Sequence, residues 1–342
     1  NLKNHSVSDR TVLFNDNWLF SLDNNPGASS EKYDDKKWRK LDLPHDWSIE
    51  DLPNQIEDSI VGPFSKAAIS HRDGGFLVGG TAWYRKHFKL DKASNDKRVI
   101  IQFDGVYMNS DVWVNGHHLG NYPNGYTSFY YDLTPYLKPA GQENVIAVQV
   151  KNEGHNSRWY SGSGFYRHVW LTVVNPLLID IWGTYITTPT VSEASATVSV
   201  ETKLNGKSGN SSVTLLAEVY EPSGQMIGKT QQILSPISDE KQTVNQNITV
   251  TNPKLWSVDE PQLYKVKVTI SQNGKVLDER DTSFGIRSIN FDAQTGFSLN
   301  GISMKLKGGC IHHDNGPLGA VAIDRAEERK IELLKKEGYN AV

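Results

Sequence analysis

Apolar and polar residues alternate along most of this chain with the two-residue period of half-buried strands, and a helical period appears only near the end. Trp18 and Phe20 share one face after the polar segment Asn15-Asp16-Asn17, and Asp34–Leu41 reads as a short helical turn. Pro44–Trp47 follows as a rigid bend. Thr81–Leu90 sets Trp83, Arg85, His87 and Lys89 against Tyr84, Lys86, Phe88 and Leu90, and Arg98–Asp104 is apolar enough to be central. Ser110–Val114 returns through His117–Gly120 about Asn115-Gly116, a dipeptide that suits a type I′ hairpin turn. Tyr126–Leu133, Asn144–Val150 and Phe165–Val174 add further strands, whereas residues 51–80 show no strand pattern and are broken by Gly74-Gly75 and Gly79-Gly80. Short strands at regular spacing predict a β-sandwich of jelly-roll type over residues 1–177.

Pro176 marks a change of texture, with fewer tryptophans and more Thr, Ser, Val and Lys beyond it. Ile179–Thr187, Ala196–Lys203, Ser212–Tyr220, Gln242–Val250, Tyr264–Ser271 and Val276–Phe284 are strands, separated by turns such as Asn205-Gly206 and Asn273-Gly274. Residues 178–290 thus read as an immunoglobulin-like β-sandwich without the cysteine pair. After Phe291 come a hairpin about Asn300-Gly301, a strand over Lys305–Gly309 and a loop over Cys310–Ala322. An amphipathic helix opens at Ile323 and stops at Gly338, and Asn340–Val342 begins another strand. Strand, loop, helix and strand make one βα unit of a TIM barrel, which needs eight. Residues 291–342 are therefore expected to be the start of an incomplete barrel. Such a piece exposes apolar faces and a sheet edge, favouring association or proteolytic trimming near Asp292. The expected fold is mainly β in three parts.

Composition narrows the function classes. With 342 residues, two or three domains have room for cores. A net charge of -3 and a pI near 6.4 provide no basic footprint for nucleic acid. No run of about 18 apolar residues exists, so no membrane-spanning helix is expected. Cys310 is the single cysteine, which excludes an internal disulfide framework. Asn1–Arg10 lacks the apolar centre of a signal peptide. The abundance of Asn, Ser, Thr, Gly and Tyr is the surface style of exported β-proteins, which favours a periplasmic or extracellular place and leaves open whether a signal was removed.

The candidate chemistry centres on Arg158–Trp170, Arg-Trp-Tyr-Ser-Gly-Ser-Gly-Phe-Tyr-Arg-His-Val-Trp. Gly162 and Gly164 permit a tight, shaped loop that presents Arg158, Trp159 and Tyr160. Aromatic faces stack on pyranose C–H surfaces and a guanidinium fork bonds hydroxyls, so the loop suits sugar recognition. The same aromatics also suit the closing of a β-sandwich core. Asp46 is a bidentate acceptor for a sugar hydroxyl or a cap for its own turn. The adjacent His312 and His313 invite a metal, but neighbours at a strand end point apart. No metal or cofactor is expected.

These residues are similar to the signatures of glycoside hydrolase family 2, which includes β-galactosidases, β-glucuronidases and β-mannosidases. Besides Arg158–Trp170, four segments fall in the family's order: Leu43–Trp47, Ala82–Lys86, Phe103–Gly116 and Leu299–Asp314. The resemblance implies a sugar-binding domain, an immunoglobulin-like domain that holds it in place, and a barrel. It implies a retaining exo-acting enzyme whose two catalytic glutamates lie beyond Val342, so that this chain alone hydrolyses nothing. It places Asp46 near the active-site mouth and Arg158 at the pocket rim. It also puts His312 at the substrate-side histidine, with His313 beside it where an acidic residue is usual and Cys310 where Asn is common. The Arg-Trp-Tyr-Ser-Gly-Ser-Gly loop and His312-His313-Asp314 look most like the β-galactosidases, so a terminal β-galactoside is the expected substrate and the parent enzyme a possible oligomer. A β-glucuronidase or β-mannosidase of the same architecture, or a non-catalytic carbohydrate-binding module, are the alternatives.

Overall fold

The computed structural model describes residues 10–50 and 59–342. They form two compact units, one comprising Thr11–Val173 with Cys310–Gly338 and the other built chiefly from Val174–Gly309.

In the first unit a four-stranded sheet has the order Thr11–Leu13, Val169–Val174, Arg98–Phe103, Phe129–Asp132. A six-stranded sheet has the order Arg39–Leu41, Trp18–Ser21, Gly80–Lys89, Glu143–Asn152, Ser110–Val114, His117–Tyr122. Gly80–Lys89 pairs antiparallel with Glu143–Asn152, setting Tyr84 against Val148. Alternation then sends Ala82, Tyr84, Phe88, Ile146, Val148 and Val150 into one core with Trp18, Phe103, Phe165 and Leu171. Tyr84 and Phe165 stack there with ring centroids 4.3 Å apart. Asn115 and Gly116, at φ 50° and 84°, make the expected turn between Ser110–Val114 and His117–Tyr122.

Several local readings change. Asp34–Leu41 is not helical: a turn at Lys36-Lys37, closed by the Trp38 amide on the Asp35 carbonyl at 3.0 Å, leads into the strand Arg39–Leu41, which pairs with Trp18–Phe20. A strand at Thr11–Leu13 precedes the one at Trp18, and Ser59–Val61 pairs with Phe64–Ser65 inside the expected loop, of which residues 51–58 lie outside the described chain. The Tyr126–Leu133 strand shortens to Phe129–Asp132, since the Asn124 side chain accepts from the amides of Tyr126 and Thr127 and holds a turn. Phe165–His168 is not strand either. Its carbonyls are taken by other segments: Phe165 by the His45 amide at 2.7 Å, Tyr166 by Ala322 at 2.9 Å and His168 by Asp104 at 3.0 Å.

The second unit is a sandwich of Leu178–Val191, Ser195–Asn205 and Lys241–Thr251 against Met226–Leu234, Val213–Tyr220, Tyr264–Gln272 and Lys275–Phe284. Its core is almost wholly aliphatic, with Val198, Val200, Leu215, Val219, Val266, Val268 and Ile270 fully buried. Met226–Leu234 is an edge strand whose mostly exposed side chains carry no clear two-residue period. Buried Arg10 reaches the Asp278 carboxylate and the Ile179 carbonyl, 3.0 Å away, in this unit. A three-stranded sheet follows, Ile289–Asp292, Gly296–Leu299 and Ile302–Ser303.

The helix expected at Ile323 spans Asp324–Lys336, with Gly338 at φ 87° just past its end. The strands expected on either side of it do not form. Lys305–Gly309 and Asn340–Val342 share a single parallel bridge, Gly308 to Ala341, and a hydrogen bond from the Lys307 amide to the Asn340 side chain at 2.7 Å. A parallel pair is ordinarily buried within a larger sheet, and neither segment has a further neighbour among the described residues. Cys310–Gly338 groups with the first sandwich.

Candidate functional site

The site is built where three turns of the first unit meet. The bend after Pro44 delivers Asp46 as the N-cap of the short 3-10 turn Trp47–Ile49. Gly162, at φ 65°, brings Tyr160–Ser163 onto it, and Gly319, at φ 61°, does the same for the loop after Cys310. A Cβ at Gly162 would lie 2.6 Å from Asp46 Oδ2, and one at Gly319 only 2.5 Å from it. Both positions need glycine for conformation and for space. Asp46 is 1% exposed and accepts four hydrogen bonds. The amides of Ser48 and Ser163 donate to Oδ1 at 2.9 and 2.8 Å, and the Tyr160 hydroxyl and Ala320 amide donate to Oδ2 at 2.6 and 2.9 Å. Burial, and then the adjacent Asp46 charge, push the Tyr160 hydroxyl far above the usual phenol range, so it remains a donor. Both Asp46 oxygens are thus occupied within the protein, and the capping alternative is the one its geometry displays.

The two histidines diverge. His313 turns inward, its Nε2–H donating to the Ser161 carbonyl at 2.7 Å. Its ring lies against Tyr166 at 4.9 Å, Tyr126 at 5.5 Å and Tyr107 at 6.4 Å between centroids. Burial holds this imidazole below the ordinary histidine range. Tyr107 and Tyr166 are buried, and their hydroxyls donate to the Asn156 side chain and the Gly125 carbonyl. Burial raises both phenols, that of Tyr166 to about 12. His312 turns outward and is exposed, its ring set edge-to-face on Trp159 at 4.5 Å. Tyr126 lies 6.4 Å from Trp159, and both rings are more than a third exposed, at 41% and 37%. Arg158 beside them is exposed, with no hydrogen-bond or ion-pair partner among the described residues.

A cleft of about 280 Å³ opens next to Trp159, lined also by Leu77, Gly79, Asn152, Asn156 and Ser161. The surface therefore offers two partly exposed aromatic rings, an outward imidazole and a guanidinium with no hydrogen-bond or ion-pair partner among the described residues, residue types suited to stacking on a sugar ring and bonding its hydroxyls. No group of three or more His, Cys, Asp or Glu is arranged to hold a metal among the described residues. Sequence reasoning brought Asp46, Arg158, His312 and His313 to this region and missed Tyr107 and Tyr126. Gly125 marks the close approach of the chain to Tyr107, since a Cβ there would lie 2.3 Å from that ring.

The first unit is thus a two-sheet domain with exposed aromatics, followed along the chain by an immunoglobulin-like sandwich. Family models agree. The model described as glycosyl hydrolases family 2, sugar binding domain, matches residues 12–174, and that described as glycosyl hydrolases family 2 matches residues 179–287. The chain belongs to glycoside hydrolase family 2. It is 43% identical over 331 residues to the β-galactosidase BoGH2A of Bacteroides ovatus, covering 96% of this chain and 38% of that protein. It is 39% identical over 330 residues to a putative β-glucuronidase of Formosa agariphila, covering 96% of this chain and 30% of the other. Among solved structures, a glycosyl hydrolase family 2 member from Bacteroides cellulosilyticus superposes with a TM-score of 0.91 at 47% identity, covering 96% of this chain and 42% of that one. The chain thus spans well under half the length of these relatives.

Proposed function

We propose that this chain is the amino-terminal portion of a retaining exo-glycoside hydrolase that cleaves terminal β-galactosides. On this reading residues 1–177 are the sugar-binding domain, 178–290 a scaffold, and 291–342 the start of a (β/α)8 barrel. Retaining hydrolysis needs an acid/base carboxyl and a nucleophilic carboxylate about 5–5.5 Å apart, and on this reading both are glutamates beyond Val342. The part taken by this chain is to bind and orient. Trp159 and Tyr126 stack on the sugar, while Arg158 and His312 bond its hydroxyls. His313 and Asp46 shape the loops that carry them. The observation that carries the proposal is the contact of exposed Trp159 with outward-facing His312, next to Arg158, which has no hydrogen-bond or ion-pair partner among the described residues.

A β-glucuronidase is the second reading, favoured by the same Arg158, because a glucuronate carboxylate calls for a cationic partner. Relatives of both names match, as noted for the proteins from Bacteroides ovatus and Formosa agariphila. The test is to assay the polypeptide with its barrel on nitrophenyl β-galactoside, β-glucuronide and β-mannoside, and the 342-residue chain beside it. The proposal expects galactoside turnover with retained anomeric configuration, read by proton NMR of the early product, and no turnover by the chain alone. Preference for the glucuronide or mannoside overturns the substrate. Sugar binding without hydrolysis of any of them by the longer polypeptide makes this a binding module.

A further inference from the structure

The mechanism of binding uses Trp159, Arg158 and His312, but a buried group behind them joins the segments that carry them. Trp159 is followed by Tyr160, whose hydroxyl donates to Asp46 Oδ2 at 2.6 Å. His312 belongs to the loop whose Ala320 amide donates to the same oxygen at 2.9 Å. The opposite oxygen takes Ser163, three residues past Tyr160, at 2.8 Å, and Ser48 at 2.9 Å. One carboxylate therefore fastens two loops distant in sequence to a third. The other bonds between the 160s loop and residues 310–324 each join one group to one: His313 to the Ser161 carbonyl, Ala322 to that of Tyr166, and Asp324 to His168.

The packing leaves this carboxylate little freedom. Gly162 and Gly319 flank it with no room for a Cβ, and Ala320 is fully buried. Three of its four donors are backbone amides, which cannot turn away or reverse their role. Only an acceptor at both oxygens satisfies them, and an amide has one. Burial also makes a missing partner costly, because the orphaned amide has no water to take instead.

We propose that Asp46 is a positioning residue that sets the placement of Trp159 against His312, and so the shape of the sugar-contacting surface, without touching the sugar. This rests on the reading of that surface as a glycoside site, but its test reads the protein alone. Asp46→Asn keeps size and shape and removes one acceptor. In the 342-residue chain, the indole N–H resonance of Trp159, assigned by its loss in Trp159→Phe, should move when His312→Gln is introduced. With Asp46→Asn in the background that movement should disappear, and hydrogen-exchange protection of the Ala320 amide should fall by about tenfold or more while strand amides in Gly80–Lys89 keep theirs. A merely stabilising role would lower the melting temperature and leave the Trp159 response to His312 intact, and that result overturns the proposal. If Asp46→Asn does not fold, Tyr160→Phe carries the test. It should weaken the Trp159 response while Ala320 stays protected, and an unchanged response overturns the proposal. Failure of the glycoside reading shows itself separately, as absence of turnover in the unaltered polypeptide with its barrel.

Discussion

At the scale of single residues, the site separates side chains that meet solvent from those that hold them. Arg158 is exposed and unpaired among the described residues, so its removal should spare the fold and injure recognition. In the polypeptide with its barrel, Arg158→Ala is expected to lower kcat/KM roughly ten- to a hundredfold with an unchanged melting temperature. A fall in melting temperature with unaltered kinetics would make Arg158 structural. His313 should behave in the opposite way. Its folded-state pKa is depressed by burial, so the unfolded chain binds the proton more readily, and stability rises with pH across that interval. Its contribution is complete above the unfolded value of about 6.5 and is lost as pH falls through the folded value. Urea midpoints should therefore decline from pH 7.5 toward pH 5, and His313→Gln should flatten that slope. The depressed carboxyls Asp35, Glu50 and Asp111 act lower, below about pH 4.5, whereas the raised carboxyl of Asp278 opposes the slope, so the His313 contribution is read as the difference between the unaltered chain and His313→Gln.

At the scale of elements, sequence periodicity was readable wherever one face of a strand is buried and the other wet. Val213–Tyr220 and Tyr264–Gln272 alternate almost perfectly in burial, and both were legible. Met226–Leu234 was not, because an edge strand with most side chains in water has no alternation to reveal. Phe165–His168 misled for another reason. Its aromatic, strand-like composition serves packing, as in the stack of Phe165 on Tyr84, while its backbone answers three separate segments. The site was legible as residue types but not as directions. Nothing in His312-His313 itself says which ring faces Trp159 and which the tyrosines, since that is decided by the Ser161 carbonyl far away in sequence. Arg10 was equally hidden, at the end of a segment read only for its lack of an apolar centre. It pairs with Asp278 where both are almost wholly buried, and burial lowers the guanidinium to about 10 while raising the carboxyl. Arg10→Met should destabilise the second sandwich by about 3–5 kcal/mol, because it strands a buried carboxylate. The double change with Asp278→Leu should recover much of that loss in urea unfolding, and no recovery would show that the pair itself supplies the stability.

At the scale of the whole molecule, the tail is not the loose remnant that a single βα unit suggests. Residues 310–324 are tied to the first sandwich at Asp46, Ser161, Tyr166 and His168, and Gly319 and Ala320 are buried there. The segment just before it is different. Ile289–Asp292 is exposed throughout, Phe291 and Ile302 are 75% and 72% exposed, and Met304–Gly309 lies outside any strand, its backbone bonded to Phe297, Asn340 and Ala341. Proteases need an extended, accessible backbone, so susceptibility should follow local protection rather than nearness to the end. Limited proteolysis of the 342-residue chain should therefore cut first between residues 289 and 309. The fragment from Cys310 onward should then co-elute with the first sandwich on gel filtration, held by those four attachments and by the aromatic cage of His313. Asp46→Asn should release it after the same cut. Loss of the fragment from the unaltered chain as soon as it is nicked would mean that these contacts are too weak to dock the tail, and that residues 291–342 depend on further chain for their place.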